Sequence, residues 1–284
     1  MVGVARGRRT VAGNAVNDPA TAGIVVWWDD PADGPTNMAA DERLAVEADR
    51  RGTMLVRIYG WTTTTVSLGA FQRFGDAHAV PEIAGVPLVR RPSGGGAIVH
   101  GSDLTYAAAV PRSHPWGASA QSLYDALHGA MADELASLGV GARAFRQIDE
   151  PRVDRGNEQE FFCFDRRSSG DLVVDHGAAS AAADSKIMGS AQRRLVGVVL
   201  QHGSLLLRGN PGVRGAARHP GIAETTPRVS LPESRDLARA WMGRVAALLG
   251  ASIDEQTTSW VRDDADAIAA VAVRFRDTRW TCRR

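Results

Sequence analysis

Two patterns alternate along the chain from residue 24 onward: short apolar runs rich in β-branched and aromatic residues, and longer stretches with apolar positions three and four apart. The run IVVWW at 24–28, ended by Asp29, Asp30 and Pro31, predicts a first strand and its turn. In DGPTNMAADERLAVEADRRG, Thr36 or Asn37 is placed to cap a helix, Asp41 and Glu42 fall near its first turns, and Gly52 closes it. MLVRIYGW at 54–61 and TTVSLGAF at 64–71 predict two neighbouring strands around a tight connection. VPLVRRPSGGGAIVHGSDLTYAAAVP at 86–111 reads as strand, glycine loop, strand, a turn at Gly101 and Ser102, and strand. From 119 the spacing of Leu123, Leu127, Met131, Leu135 and Leu138 predicts a helix closed by Gly139.

The polar stretch 149–160 predicts an exposed loop leading to Cys163. DLVVD, KIMGSAQRR and VVLQHGSLLL then read as strands, with the small-residue insert 176–185 between the first two. Residues 209–232, rich in Gly and Pro, predict a long surface connection. Ser230 and Glu233 suit a capping box, followed by an inward stripe of Leu237, Trp241, Val245 and Leu248 up to Gly250. A last helix is expected over 258–276, with Trp260, Ile268, Val271 and Phe275 inward. No repeat and no linker divides the chain. The expectation is an α/β (α+β) fold with a single catalytic domain over 23–284, built on a mixed, mainly antiparallel sheet flanked by helices and preceded by a flexible extension at 1–22.

With 44% apolar and 23% charged residues, the composition is that of an ordinary globular protein. A formal charge of +1 lacks the basic footprint of a nucleic-acid binder. No run approaches the length of a membrane span, and the N-terminal residues lack the apolar core of a signal peptide. Two widely separated cysteines, Cys163 and Cys282, form neither a disulfide framework nor a metal-ligand spacing. A cytoplasmic protein without nucleic-acid or membrane partners, and without a metal, is therefore expected.

Composition also isolates one residue: among 33 Lys plus Arg, Lys186 is the only lysine. An ammonium is a compact point charge whose environment can tune it, which a guanidinium is not. Cys163, between Phe162 and Phe164, reads from the residues alone either as a packed small hydrophobe or as a nucleophile that works as thiolate. The loop RRPSGGGAIVH at 90–100 lacks the terminal Lys-Ser/Thr of a P-loop, but its glycines allow close backbone approach to a ligand. His100 and His202 are each, taken singly, more typical of structural histidines. The block Gln201–Ser204 suits hydrogen bonding that shapes a pocket, and Cys282 reads as incidental.

KIMGSAQRR followed by LQHGSLLL resembles the central block of the lipoate-protein ligase and octanoyltransferase superfamily. CFD at 163–165 followed by DLVVD resembles its cysteine-bearing octanoyltransferase branch. RRPSGGGAIVH is similar to the superfamily's RRxxGGxxxxH signature, and TNMAADE, RIYGW, VSLGAFQ, DLTYA and WTCR match further elements in order. The resemblance implies the biotin/lipoate ligase catalytic domain. It also implies Cys163 and Lys186 as catalytic residues. Substrate-binding positions would be Arg90, Arg91, Ser93, Gly94, Gly95, Gly96 and His100 in the glycine loop, then Gly189, Ser190 and Gln192, then Gln201, His202 and Gly203. It implies transfer of a medium-chain acyl group from acyl carrier protein, through an acyl-cysteine, to a lysine of a lipoyl-domain protein such as glycine cleavage H protein or a 2-oxoacid dehydrogenase E2, with no cofactor. The alternatives are a lipoate-protein ligase using ATP with Mg, in which Cys163 is a bystander, and a catalytically idle binding module. Three departures stand out: Gly101 where the family often has Asp, GGG where cysteine-bearing members commonly have GGR, and the long 176–185 insert.

Overall fold

The structure is a computed structural model that describes residues 23–146, 160–174 and 184–284. The expected extension at 1–22, and most of the stretch 149–160 and of the 176–185 insert, lie outside the described residues.

The apolar first run forms β1 (Ile24–Trp28), followed by α1 (Gly34–Arg51) and β2 (Leu55–Tyr59). Next come β3 (Thr65–Leu68), the short α2 (Phe74–His78), β4 (Leu88–Arg90), β5 (Ile98–His100), β6 (Asp103–Pro111) and α3 (Ala120–Ser137). β7 (Ala142–Ala144), β8 (Leu172–Val174), β9 (Ser185–Arg194) and β10 (Val198–Leu206) complete the middle of the chain. The C-terminal part holds α4 (Ile222–Thr225), α5 (Ser234–Leu249), β11 (Ile253–Glu255), α6 (Trp260–Asp263), α7 (Ala265–Arg276) and α8 (Thr278–Thr281).

Eight strands make the main sheet in the order β11-β1-β2-β6-β10-β9-β8-β7. β1 runs parallel to both β11 and β2, and every other pairing is antiparallel. The expected mixed, mainly antiparallel sheet flanked by helices is what forms. A second sheet has the order β4-β3-β5. β2 and β3 are therefore not neighbours, as their sequence suggested: β2 pairs with β1 and β6, while β3 crosses to pair with β4 and β5. Strand partners are chosen by long-range packing, which adjacency in sequence does not reveal.

On one face of the main sheet α3 and α5 bury Leu123, Leu127, Met131, Leu135, Leu237, Trp241 and Val245 against Met54, Val56, Tyr106 and Leu205. Trp241 meets Tyr106 edge-on at 4.9 Å and donates its Nε1 hydrogen to Leu127 O. On the other face α1 packs Met38, Leu44 and Ala48 against Leu55, Ala107 and Leu200, with α7 over it.

Several local expectations shift. Asp33, not Thr36 or Asn37, caps α1: its Oδ1 accepts from Thr36 N, and Asn37 and Asp41 turn inward instead. α5 begins at Ser234 with Glu233 as a cap that makes no side-chain bond, so the Ser230 box does not form. Leu248 is exposed in its last turn, where Leu249 packs inward. The last helix breaks at Asp264, whose backbone leaves helical geometry, into α6 and α7, and Val271 is only half-buried. The 209–232 connection is partly internal, burying Val213, Ala217 and Ile222. Among the described residues no helix is long and apolar enough to cross a membrane.

Candidate active site

The glycine loop and the cysteine segment are stitched together. Ala97 N donates to Phe161 O at 2.9 Å and Cys163 N donates to Ala97 O at 2.8 Å, so Cys163 begins its single 3-10 turn, Cys163–Asp165, already fastened to the loop. The approach is too close for any side chain at Gly96, where a Cβ would lie 2.7 Å from Cys163 N and 2.9 Å from Phe162 C. Gly95 has φ +93°, a left-handed conformation that favours glycine.

Two buried arginines brace this loop from behind. Arg91 donates to the carbonyls of Ser67, Gly94 and Gly96. Arg90 donates to the carbonyls of Gly69, Gln72 and Thr281, tying the loop's base to the C-terminal helix. Burial pushes the Arg91 guanidinium down to about 10, while Cys163 nearby partly opposes that shift.

Lys186 reaches the cysteine from β9. Its Nζ lies 2.8 Å from Asp171 Oδ2, 3.2 Å from the carbonyl oxygens of Cys163 and Arg166, and 3.6 Å from Cys163 Sγ. The stem crosses Gly189, where a Cβ would meet Lys186 Cε at 2.5 Å. Burial alone would push this ammonium down. Cys163 and Asp171 outweigh burial and hold it above the usual lysine value. Cys163 is half-buried, and the Lys186 and Asp171 side chains are 3% and 2% exposed, so the ion pair acts in a low-dielectric setting.

A polar network carries this cluster into the α3 face. Tyr124 OH donates to Asp171 at 2.5 Å, and Ser190 N donates to Tyr124 OH. His128 Nδ1 faces Gly170 O at 2.9 Å, and because a carbonyl only accepts, that nitrogen carries the hydrogen. Nε2 of the neutral ring then accepts from Ser190 Oγ at 2.7 Å, so Ser190 in turn accepts from Tyr106 OH. Gln201 donates to the same Tyr106 oxygen, and Gln192 donates to Gln201.

Burial pushes the His128 imidazole from the usual 6.5 down to about 3, with Lys186 contributing in the same direction. Below pH 6.5 the unfolded chain therefore takes up a proton that the folded chain refuses, and stability falls as the pH drops from about 6.5 towards 3. At pH 5.5 this group alone should cost about 1.4 kcal/mol relative to high pH. Urea unfolding at pH 7.5 and 5.5 should show a larger loss in wild type than in His128→Gln. Equal losses in the two proteins would remove His128 as the cause.

The opposite sheet face holds a small cavity of about 20 Å³ between the two sheets, lined by Met38, Trp61, Ile98, Ala191, His100 and His202 among others. Ile98 also belongs to the small apolar cluster that Cys163 packs against. The cavity's polar side chains are hydrogen-bonded except at Arg91 Nε, which is buried without a partner. His202 Nδ1 lies 3.0 Å from Asp41 Oδ2, and its Nε2 hydrogen-bonds Ser93 Oγ. Arg57 and Tyr59 donate to the same Asp41 carboxylate. Ser93 is 2% exposed, and this Ser-His-Asp line braces the glycine loop against β10 and α1. His100 repeats the pattern with Ser67 at 2.8 Å and Asp103 at 2.9 Å, its ring stacked on Trp61 at 4.0 Å. Burial would raise the Asp103 carboxyl, but His100, Ser204 and Gly101 N outweigh it and hold it down to about 2. Thus Gly101, with φ +126°, stands where the family often has Asp, and Asp103 two residues on supplies a carboxylate to the histidine.

Cys163 and Lys186 are brought together. Arg91, Gly96, His100, His202 and Gly203 lie around the cavity or its loop, and Gly189 lies under Lys186. Ser190, Gln192 and Gln201 point to the other face, into the α3 network. Sequence reasoning missed Asp171, Tyr124, His128, Asp41 and Asp103 as site partners. Tyr124 and His128, two polar rings one turn apart beside the leucine stripe of α3, were the readable signal. Among the described residues no group of three His, Cys, Asp or Glu is arranged to hold a metal ion.

The arrangement of sheets and helices is shared with solved lipoate ligases. A lipoate-protein ligase A bound with ATP superposes with a TM-score of 0.66 at 17% identity, covering 92% of this chain and 98% of that one. The bi-partite lipoate protein ligase of Thermoplasma acidophilum, described with its E2 lipoyl domain, gives 0.64 at 16% identity, covering 92% and 96%. Residues 33–229 match the family described as the lipoyl protein ligase A/B catalytic domain, and the chain belongs to that family. Among curated relatives it is similar to octanoyltransferase LipM of Kyrpidia tusciae, 36% identical over 181 residues that make up 62% of each protein. It is also similar to octanoyltransferase LipM of Symbiobacterium thermophilum, 33% identical over 276 residues, 88% of this chain and 95% of that one. The chain thus spans about three fifths of the first relative's length and nearly all of the second's.

Proposed function

We propose that this protein is an acyltransferase of protein lipoylation, moving an octanoyl group from the thioester of an acyl carrier protein to the lysine of a lipoyl-domain protein. The observation that carries this reading is the 3.6 Å approach of Lys186 Nζ to Cys163 Sγ, with the cysteine backbone fastened to the glycine loop. The likeness to octanoyltransferases LipM supports the octanoyl group, and the Thermoplasma ligase described with an E2 lipoyl domain supports that class of acceptor.

In the first step the Cys163 thiolate attacks the donor carbonyl, the bond from carbonyl carbon to donor sulfur breaks, and the donor leaves as thiolate. The Lys186 ammonium, held charged by Asp171, balances negative charge on the cysteine sulfur and on the oxygen of the tetrahedral intermediate. In the second step the acceptor amine attacks the acyl-cysteine, an amide forms, and Cys163 leaves again as thiolate beside the same ammonium. Because the donor thioester already carries the activation, the reaction so drawn requires no ATP and no other cofactor.

Incubation with octanoyl-acyl carrier protein and an apo lipoyl domain, with and without ATP, tests the reading. Octanoyl-lysine should form without ATP. Product that appears only with ATP, Mg and the free acid would replace this reading with a ligase, and no product from either donor would leave a binding module.

A further inference from the structure

If the acyl group reaches an acceptor lysine as proposed above, that lysine must lose a proton before it can attack. Lys186 is poorly placed to take it. Its ammonium is bonded to Asp171 at 2.8 Å, and its surroundings favour the charged form.

Another titratable group stands over the cysteine turn. His219, from the connection between β10 and α5, sets its ring 5.3 Å from that of Phe162 and 5.8 Å from that of Phe164, the two residues flanking Cys163. Its Nε2 lies 2.9 Å from Asp165 Oδ1, the last residue of the same turn. The His219 side chain is 14% exposed and Asp165 is 37% exposed, so the pair is partly covered yet open to solvent. His219 lines an open cleft of about 460 Å³ together with Lys186. Glu160, Asp165, Arg167 and Asp184 are the other charged residues of that cleft, and Asp103 and Arg208 face His219 from a smaller cavity on its other side. A carboxylate only accepts, so Nε2 carries the hydrogen in the bond to Asp165. Among the described residues Nδ1 has no hydrogen-bond partner. This is the arrangement of a carboxylate-oriented imidazole with an unpartnered Nδ1, on the wall of the cleft that Lys186 also lines.

We propose that His219, oriented by Asp165, is the general base that takes the proton from the acceptor lysine in the second half of the reaction. The lone pair of Nδ1 accepts one proton from the ε-ammonium, leaving a neutral amine and an imidazolium. The amine attacks the acyl carbon, the bond to Cys163 Sγ breaks, and the amine's second proton passes to solvent in the open cleft as the amide forms. Cys163 leaves as thiolate beside Lys186, and the imidazolium returns its proton to solvent.

The two half-reactions separate this role from the rest of the site. With octanoyl-acyl carrier protein alone, His219→Ala should acylate Cys163 at close to the wild-type rate. Transfer from the preformed octanoyl enzyme to an apo lipoyl domain at pH 7 should fall by about 100-fold or more, the usual worth of a general base. Added imidazole should restore part of that loss in His219→Ala and leave wild type unchanged, which a merely structural role would not produce. Unaltered transfer, or an equal fall in both half-reactions without rescue by imidazole, overturns the inference and leaves the proposed activity standing. A wild-type protein that never acquires an acyl group on Cys163 overturns both.

Discussion

Incubated with octanoyl-acyl carrier protein and no acceptor, the protein should acquire one octanoyl group on Cys163, labile to hydroxylamine as a thioester is, and Cys163→Ala should acquire none. Cys163 has the accessibility this requires, being half-buried and fastened by its backbone to the loop of Gly96. Cys282, the other free cysteine, is exposed and caps the C-terminus of α8, and it is not among the groups that Lys186 Nζ contacts. Cys163→Ser is the sharper variant. A serine hydroxyl is far less ionised than a thiol near neutral pH, so it requires a base to activate it. Its charged neighbour Lys186 is held as an ammonium by Asp171 and cannot provide one. The missing base assistance corresponds to a loss of about 100-fold or more in transfer. Intact mass and peptide mapping decide the matter. An acyl group on Cys282, or undiminished transfer by Cys163→Ser, would show that Cys163 is only a packed thiol.

Lys186→Arg should be almost as damaging although it keeps the charge. Four acceptors converge on Nζ: a carboxylate, two carbonyl oxygens and the cysteine sulfur. A tetrahedral ammonium can distribute three hydrogens among them, whereas a planar fork cannot point in all these directions. There is also no slack along the stem, because it crosses Gly189 at a distance that would not admit even a Cβ. A guanidinium would displace either Asp171 or the cysteine turn, and a displacement of about 1 Å at the reacting atoms can cost about 100-fold in rate. Lys186→Met should fold less stably by about 3–5 kcal/mol, since it leaves the Asp171 carboxylate buried without its cation. Single-turnover acylation measures the first effect and urea unfolding the second. Transfer by Lys186→Arg within a few-fold of wild type would mean that the ammonium's geometry has no role at the sulfur.

Local spacing was enough to place α1, α3, α5 and the strands from β1 to β6, because helix and strand periods are written in neighbouring residues. The rarity of Lys186 and the wording around Cys163 were equally legible, and they lead to the two residues that the fold brings within 3.6 Å of each other. The glycine loop could be recognised, but the reason for Gly96 could not. It depends on the backbone of Phe162 and Cys163, more than sixty residues away, arriving within 3 Å. The transfer of β3 to the second sheet was hidden for the same reason. Its side-chain alternation suits a place beside β2, yet its partners are selected by what β4 and β5 can bury. Asp171, Tyr124 and His128 looked like ordinary strand-end and helix residues until the fold closed around Lys186. A buried charge and a neutral imidazole are defined by the groups that surround them in three dimensions, and those groups come from β8, α3 and β9 together.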